Sequence, residues 1–357
     1  MRSPKAWIPV AVALAALAAA PLAHATYDPI GAGSAKLLLD KRFTRFLAAE
    51  EIKLKATRGA KAKGGAFLLA VSGGSLDPTK GQGEIDAEGT LVFENDRKSV
   101  PLRNITLKTK HSPLIAKVGG SQLKAATSPK LSFKREGFAA TFTAQKLKLS
   151  AKIVSRLNKK LRPEVPFAAG QPLGTLIAKT QPQLIAILAG GRATFAFDAA
   201  FLAKLDSRFV SLNPISPAER AGASFTLPIA AGGAIAPDAS EGTLRTGGEI
   251  EALQLHGGQV FWKEQWFDLG AHSDSAEVDV EPTPSFPGKL GRVGILDLGQ
   301  GTVSADPKAR TITVSGAPLT LQAGAAATLN EAFSQGQAPT FAAGEAVGSL
   351  SFTAQGQ

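Results

Sequence analysis

FAAGQPLGTL at residues 167–176 returns as FAAGEAVGSL at residues 341–350. Two ten-residue segments of one chain that share the phenylalanine, the alanine pair, both glycines and the final leucine point to an internal duplication. Working back from them, Gly33-Ser34-Ala35 with Asp40 and Phe43 matches Gly191-Arg192-Ala193 with Asp198 and Phe201. Phe67 and Leu69 match Phe225 and Leu227, and Gly73-Gly74 with Leu76 and Pro78 matches Gly232-Gly233 with Ile235 and Pro237. The order is kept throughout. Copy one is placed at 31–180 and copy two at 190–352, with Gln181 to Gly190 as the joint.

Within a copy the dominant period is two. Gly83 to Phe93, Val100 to Leu107, Ile250 to Leu255, Ala276 to Glu281 and Arg310 to Leu321 alternate apolar and polar residues, as strands with one buried face do. Two stretches per copy depart from it. Phe43, Phe46 and Leu47 share one helical face after Asp40, and Phe201, Leu202 and Leu205 do so after Asp198. Aspartate suits a helix N-cap because its carboxylate accepts the first unpaired N–H groups. A second short helix is expected over Lys152 to Leu161 and its counterpart over Ala327 to Phe333. The fold class is mainly β: two tandem β-sandwich-like or open-barrel domains, each with about two short helices. Plentiful glycine (37) and proline (22) with 6% aromatic residues suit short strands and tight turns.

Residues 1–25 read as a signal peptide. Arg2 and Lys5 precede an apolar run from Ala6 to Ala20, and Ala23-His24-Ala25 supplies a small-residue cleavage site. The run is shorter than the roughly 20 residues a spanning helix needs. The expected product is secreted, extracellular or associated with the cell wall, with no transmembrane segment in the mature chain. It contains no cysteine, so core burial rather than disulfides must hold it together.

Phe43 and Phe46 in the first helix, the pair Gly73-Gly74 with Asp77, then Gly89, Leu91 and Phe93, and then Val100 and Leu102 resemble the Hta domain of actinobacterial haem-acquisition proteins. The resemblance implies a cell-surface setting and a haem ligand set of one tyrosine from the first helix and one histidine after the strand that ends in Phe93. Here the tyrosine position holds Phe46 in copy one and Lys204 in copy two, and Asn95 and Asp96 follow Phe93. The only tyrosine, Tyr27, lies outside both copies. The resemblance therefore implies the fold, while the missing ligands argue against the family's haem chemistry.

Three histidines remain after signal cleavage, at 111, 256 and 272. His256 and His272 flank a segment with Phe261, Trp262, Trp266 and Phe267, an apolar lining for a flat cofactor; His256, His272, Trp262 and Trp266 are the candidate haem residues, against the plainer reading that they are packing and rim residues. Asp268 and Asp274 are further oxygen donors nearby. There is no nucleophile elbow, zinc-protease helix motif, phosphate-binding glycine loop or cysteine nucleophile, so an enzyme is not expected.

Charge divides the copies. Residues 33–190 hold 28 Lys and Arg against 11 Asp and Glu, and residues 191–357 hold 10 against 17. A domain of net charge +17 attracts polyanions. Lys53, Lys55, Arg58, Lys61 and Lys63 cluster after the first helix; Lys146, Lys148, Lys152, Arg156, Lys159 and Lys160 cluster near the end of the copy. Aromatic residues do not interleave with them, which argues against a specific nucleic-acid reader. The leading reading is a non-enzymatic binding or structural protein, without a cofactor, whose basic copy contacts anionic envelope polymers. The plainer reading is that the charge only solvates the domain or docks it on the acidic copy. The alternative function is haem binding or haem relay through histidines of copy two.

Overall fold

The computed structural model describes residues 27–110, 113–255, 257–281, 288–334 and 337–357. Residues 1–25, expected to be a signal peptide, and His111 and His256 lie outside the described residues. In the first half the chain runs through β1 (Asp28–Leu39), α1 (Lys41–Ala49), β2 (Lys53–Thr57), β3 (Lys61–Lys63), β4 (Ala66–Leu76), β5 (Gly83–Glu94), β6 (Ser99–Lys108), β7 (Pro113–Val118), β8 (Ser121–Thr127), β9 (Lys130–Glu136), β10 (Ala139–Leu149), α2 (Ala151–Leu161) and β11 (Pro172–Pro182). The second half runs through β12 (Ile185–Phe197), α3 (Ala199–Ser207), β13 (Val210–Ile215), β14 (Glu219–Ala221), β15 (Ser224–Ile235), β16 (Gly242–Thr246), β17 (Glu249–Gln254), β18 (Gln259–Asp268), β19 (Ser273–Val280), β20 (Lys289–Leu298), β21 (Thr302–Asp306), β22 (Thr311–Leu321), α4 (Ala323–Phe333) and β23 (Ala346–Gly356).

The mainly-β reading holds, and of its two forms the barrel is the one that forms. It is closed rather than open. Strands β5, β6, β7, β8, β10, β11, β1 and β4 succeed one another by hydrogen bonding, and β4 pairs back onto β5. In the second sheet β18, β16, β15, β12, β23, β22, β20 and β19 form the same ring, closed by β19 on β18. Alternation in sequence shows that one face is buried; whether the sheet meets itself depends on twist and bulges, which alternation does not record. The segment from Gln181 to Gly190 is strand at both ends, so only residues 183 and 184 lie between β11 and β12.

The quoted repeat explains itself in three dimensions. Gly174 in β11 and Gly348 in β23 have φ of 150° and 152°, and a Cβ there would strike the carbonyl oxygen of Leu38 or Ala196 on the neighbouring strand. Only glycine permits that approach. Just beyond it the chain enters the first helix of each copy. Asp40 caps α1, its carboxylate accepting the Arg42 N–H at 2.7 Å, whereas Asp198 makes no such side-chain bond at α3. Helix α1 turns Phe43 and Leu47 into the core, and α3 turns Phe201 and Leu205 inward at the equivalent places. Burying one such phenylalanine contributes about 2–3 kcal/mol.

Each barrel has its own core, and a polar joint connects them. Arg135 donates to the carbonyl oxygens of Pro78 at 3.3 Å and Gly137 at 2.9 Å, and to that of Gln357 at the end of β23. Asp28 at the start of β1 accepts the Ala186 N–H at 3.2 Å. Burial raises the Asp28 carboxyl to about 6, against the Ala186 hydrogen bond and the Arg135 charge that favour its ionised form.

The folded state therefore holds this proton more tightly than the unfolded chain does, and stability falls as pH rises from about 4 to about 6. A difference of that size amounts to about 3 kcal/mol. The substitution Asp28→Asn keeps an acceptor for the Ala186 N–H and removes the ionisation. Thermal melts of this variant should show a higher midpoint than the parent at pH 7.5 and a smaller difference at pH 4. Equal midpoints at pH 7.5 would rule out this role for Asp28 in the joint.

Candidate functional site

At the end of copy one where α1 lies, the position implied for a ligand tyrosine is packed shut. Phe46 meets Phe167 edge-on, ring centroids 5.0 Å apart, and Phe43 and Phe93 sit 6.3 and 6.2 Å from the same ring. Asn95, after β5, donates to the Leu161 carbonyl at 2.9 Å and accepts the N–H groups of Arg97 and Lys98. It fastens the β5–β6 turn to the end of α2. In copy two Lys204 holds Glu345 at 2.5 Å. A phenyl ring and an ammonium ion cannot donate to iron, so neither of these places fits a haem ligand set.

The candidate haem residues of copy two do not share one wall. Trp262 is buried in the core, and Trp266 lies on the outer face of the same strand. Four residues apart in a regular strand they would point the same way. Between them Glu264 adopts a positive φ of 45° and the register shifts, so the strand changes face. His272, exposed in the β18–β19 turn, is on the rim of a cleft of about 300 Å³ with Leu269, Leu298, Val303, Val314 and Phe352. Asp268 serves the same turn by accepting the Ala271 N–H at 2.9 Å.

The candidate anion-binding residues form two surfaces. Lys53 and Lys55 stand on β2, Arg58 in the turn that follows, and Lys61 and Lys63 on β3, all exposed. Lys55 is paired with Glu94 diagonally across the β2–β5 ladder, where Glu94 stands opposite Lys53. Lys146 and Lys148 are on β10, and β5, β6, β7 and β8 lie between that strand and β2. The second surface continues onto α2. That helix buries Ile153, Val154, Leu157 and Leu161, which leaves Lys152, Arg156, Lys159 and Lys160 along its other side with no acidic residue in the helix. Among the described residues, the ion-paired cations of the first barrel are Lys55, Lys108 and Lys134.

A third feature shares only Arg58 with these surfaces. On the outer face of the first barrel a groove of about 530 Å³ is bordered by Arg58, Arg103, Asn104, Thr106, Asp86 and Gln122. The register Thr90↔Arg103 there corresponds to Glu249↔Lys263 in the second barrel. That counterpart is filled. Trp266 is sandwiched between the guanidinium groups of Arg245 and Arg292, at 4.1 and 4.0 Å, and Lys263 pairs with Asp279 at 3.0 Å and Glu249 at 3.7 Å. The Asp279 hydrogen bond pushes the Lys263 ammonium above its usual range. The sequence signal for this contrast is the residue-by-residue match of β6 with β18, in which Thr106 stands where copy two has Trp266.

The structure is similar to the C-terminal domain of HtaA from Corynebacterium glutamicum, with a TM-score of 0.37 at 15% identity over 48% of this chain and 98% of that one. It is similar to the N-terminal domain of the same protein, with a TM-score of 0.34 at 15% identity over 48% and 99%. The heme binding protein HtaB from the same organism has a TM-score of 0.33 at 11% identity over 49% and 96%. No family model and no curated protein matches the chain. Similarity at this level leaves activity to be argued from the residues of this chain.

The packed aromatic cluster makes a direct prediction. Phe167→Ala leaves a cavity among Phe43, Phe46 and Phe93 and should cost about 3–5 kcal/mol, read as a lower urea midpoint. A change below about 1 kcal/mol would mean that the cluster is not what closes this end of the barrel.

Proposed function

We propose that this chain is an exported, non-enzymatic binding protein whose basic first copy holds anionic polymers of the cell envelope. The observation that carries the reading is the stripe on α2. Lys152, Arg156, Lys159 and Lys160 are set on one side of a helix whose other side is anchored in the core, following Lys146 and Lys148 of β10 in the chain, and none of them is in an ion pair among the described residues. Immobile cations without local counter-charges attract a polyanion and release its condensed counterions on binding. Copy two, with net charge −7, gives such a polymer no comparable surface. No helix among the described residues is long and apolar enough to cross a membrane.

Inorganic polyphosphate is a suitable probe, followed by fluorescence anisotropy of the labelled polymer at increasing salt. Reversing Lys152, Arg156, Lys159 and Lys160 to glutamate should weaken binding at least tenfold and flatten the dependence of log affinity on log salt. Reversing Lys53, Lys61 and Lys63 tests the other surface in the same assay. Affinity unchanged in both variants would overturn the reading.

His272 favours a second reading, haem binding, which is the property that the name of HtaB states for that protein. Such a role for this chain needs an axial ligand other than Phe46 or Lys204. His272 supplies an exposed imidazole on the rim of a cleft lined by Leu269, Leu298, Val303, Val314 and Phe352 together with Asp238, Ser240 and Gln300. Haemin titration should then give a saturable Soret band that His272→Ala abolishes. A flat titration would remove this reading and leave the first untouched.

A further inference from the structure

The interior of the second barrel contains a polar cluster that the first barrel lacks. Ile85, Leu107 and Leu114 form one inward cross-strand row in copy one, and Leu244, Phe267 and Asp274 form the same row in copy two. Next to this row Ala87 and Ile105 oppose each other in copy one, where copy two has Thr246 and Gln265. Ala87, Ile105 and Leu114 are ordinary buried apolar residues. At the corresponding places Thr246, Gln265 and Asp274 are 3%, 2% and 1% exposed.

These three side chains leave their oxygens unused. Thr246 Oγ1, Gln265 Oε1 and both Asp274 carboxylate oxygens have no hydrogen-bond partner among the described residues. Burial pushes the Asp274 carboxyl well above the usual carboxylate range, opposed by the Arg292 charge and by the neighbouring Ser275 backbone N–H, which stays outside hydrogen-bond geometry. Arg292 itself is engaged on the outer face with Trp266, with Glu277 at 3.4 Å and with Glu264 at 3.8 Å. Gln265 and Asp274 line a common cavity whose other walls include Phe195, Phe197, Phe201 and Trp262. It has about 20 Å³ of room for the centre of a water-sized occupant. An orphaned buried acceptor is costly, more so when charged, and the same fold packs aliphatic side chains at these positions in copy one.

We infer that Gln265 and Asp274, with Thr246 at the next inward position on β16, form a buried site in copy two for one monovalent cation of the size of sodium, potassium or ammonium. The amide oxygen of Gln265 and the carboxylate of Asp274, both oxygen donors on the cavity wall, suit a hard cation. A single carboxylate balances a single positive charge, which leaves the core neutral. The aromatic walls add a favourable face for a desolvated cation. The cavity admits an ion of water's size and excludes a quaternary amine.

Thermal melts of the mature chain in sodium, potassium, ammonium and tetramethylammonium chloride at equal ionic strength test the site. At least one small cation should raise the midpoint saturably by a few degrees over tetramethylammonium, as linkage to the folded state requires. Thr246→Ala, Gln265→Ile and Asp274→Leu together install apolar side chains, all three the residues of copy one, and should abolish the difference between cations. Asp274→Asn, which keeps the shape and removes the charge, should abolish it too and carries the test if the triple variant does not fold. Midpoints that are equal in all four salts, the result expected for a buried water alone, overturn the site. A cation effect that survives in the folded variants overturns it equally.

Discussion

One residue of positive φ in β6 and one in β18, Asn104 at 47° and Glu264 at 45°, decide what each barrel shows to its core and to solvent. A strand alternates faces, and a single extra residue transposes everything beyond it. In copy one the transposition sends Ile105 inward and leaves Arg103 and Thr106 facing an open groove. In copy two it sends Gln265 inward to the cavity shared with Asp274, and turns Trp266 out between two arginines. The backbone device is the same in both halves. The side chains placed on it are not, and the difference between the copies follows from that.

The two halves accordingly divide their polar chemistry. The first barrel packs Ala87, Ile105 and Leu114 where the second has polar side chains, and it has a basic exterior, with ion pairs among the described residues only at Lys55, Lys108 and Lys134. The second has the unpartnered oxygens of Thr246, Gln265 and Asp274 inside, and on its exterior Lys204 is engaged by Glu345 and Lys263 by Glu249 and Asp279. Exposed pairs of this kind contribute little to stability. Their effect here is to use up charge that the first barrel keeps available. The joint of Asp28, Arg135 and Gln357 connects the halves through buried polar contacts.

The elements that are legible in the sequence have a strong local cause. Phe43 and Leu47 announce α1 because apolar residues four apart after a capping aspartate fall on one side of a helix, and Ile153, Val154 and Leu157 announce α2. Its counterpart, expected over Ala327 to Phe333, begins four residues earlier at Ala323, because alanines carry little periodic signal. Closure of the barrels is not legible, since it rests on the pairing of β4 with β5 and of β18 with β19 together with the whole ring of strands between them. The candidate sites suffer from the same gap. Trp262 and Trp266 fall on one face by counting and on opposite faces by the bulge, and the two lysine clusters look continuous in composition yet β10 has four strands between it and β2 and three between it and β3. Asp274 is readable only as one more oxygen donor, because its burial is a property of the closed barrel.

The proposed binding of polyanions by the first barrel, and not by the second, is tested on the whole chain by amide hydrogen exchange with and without saturating polyphosphate. Exchange should slow within residues 28–182, most strongly in α2 and β10 or in the β2–β3 hairpin, while residues 185–356 stay unchanged. Protection confined to the second barrel, or none at saturating polymer, would refute the assignment.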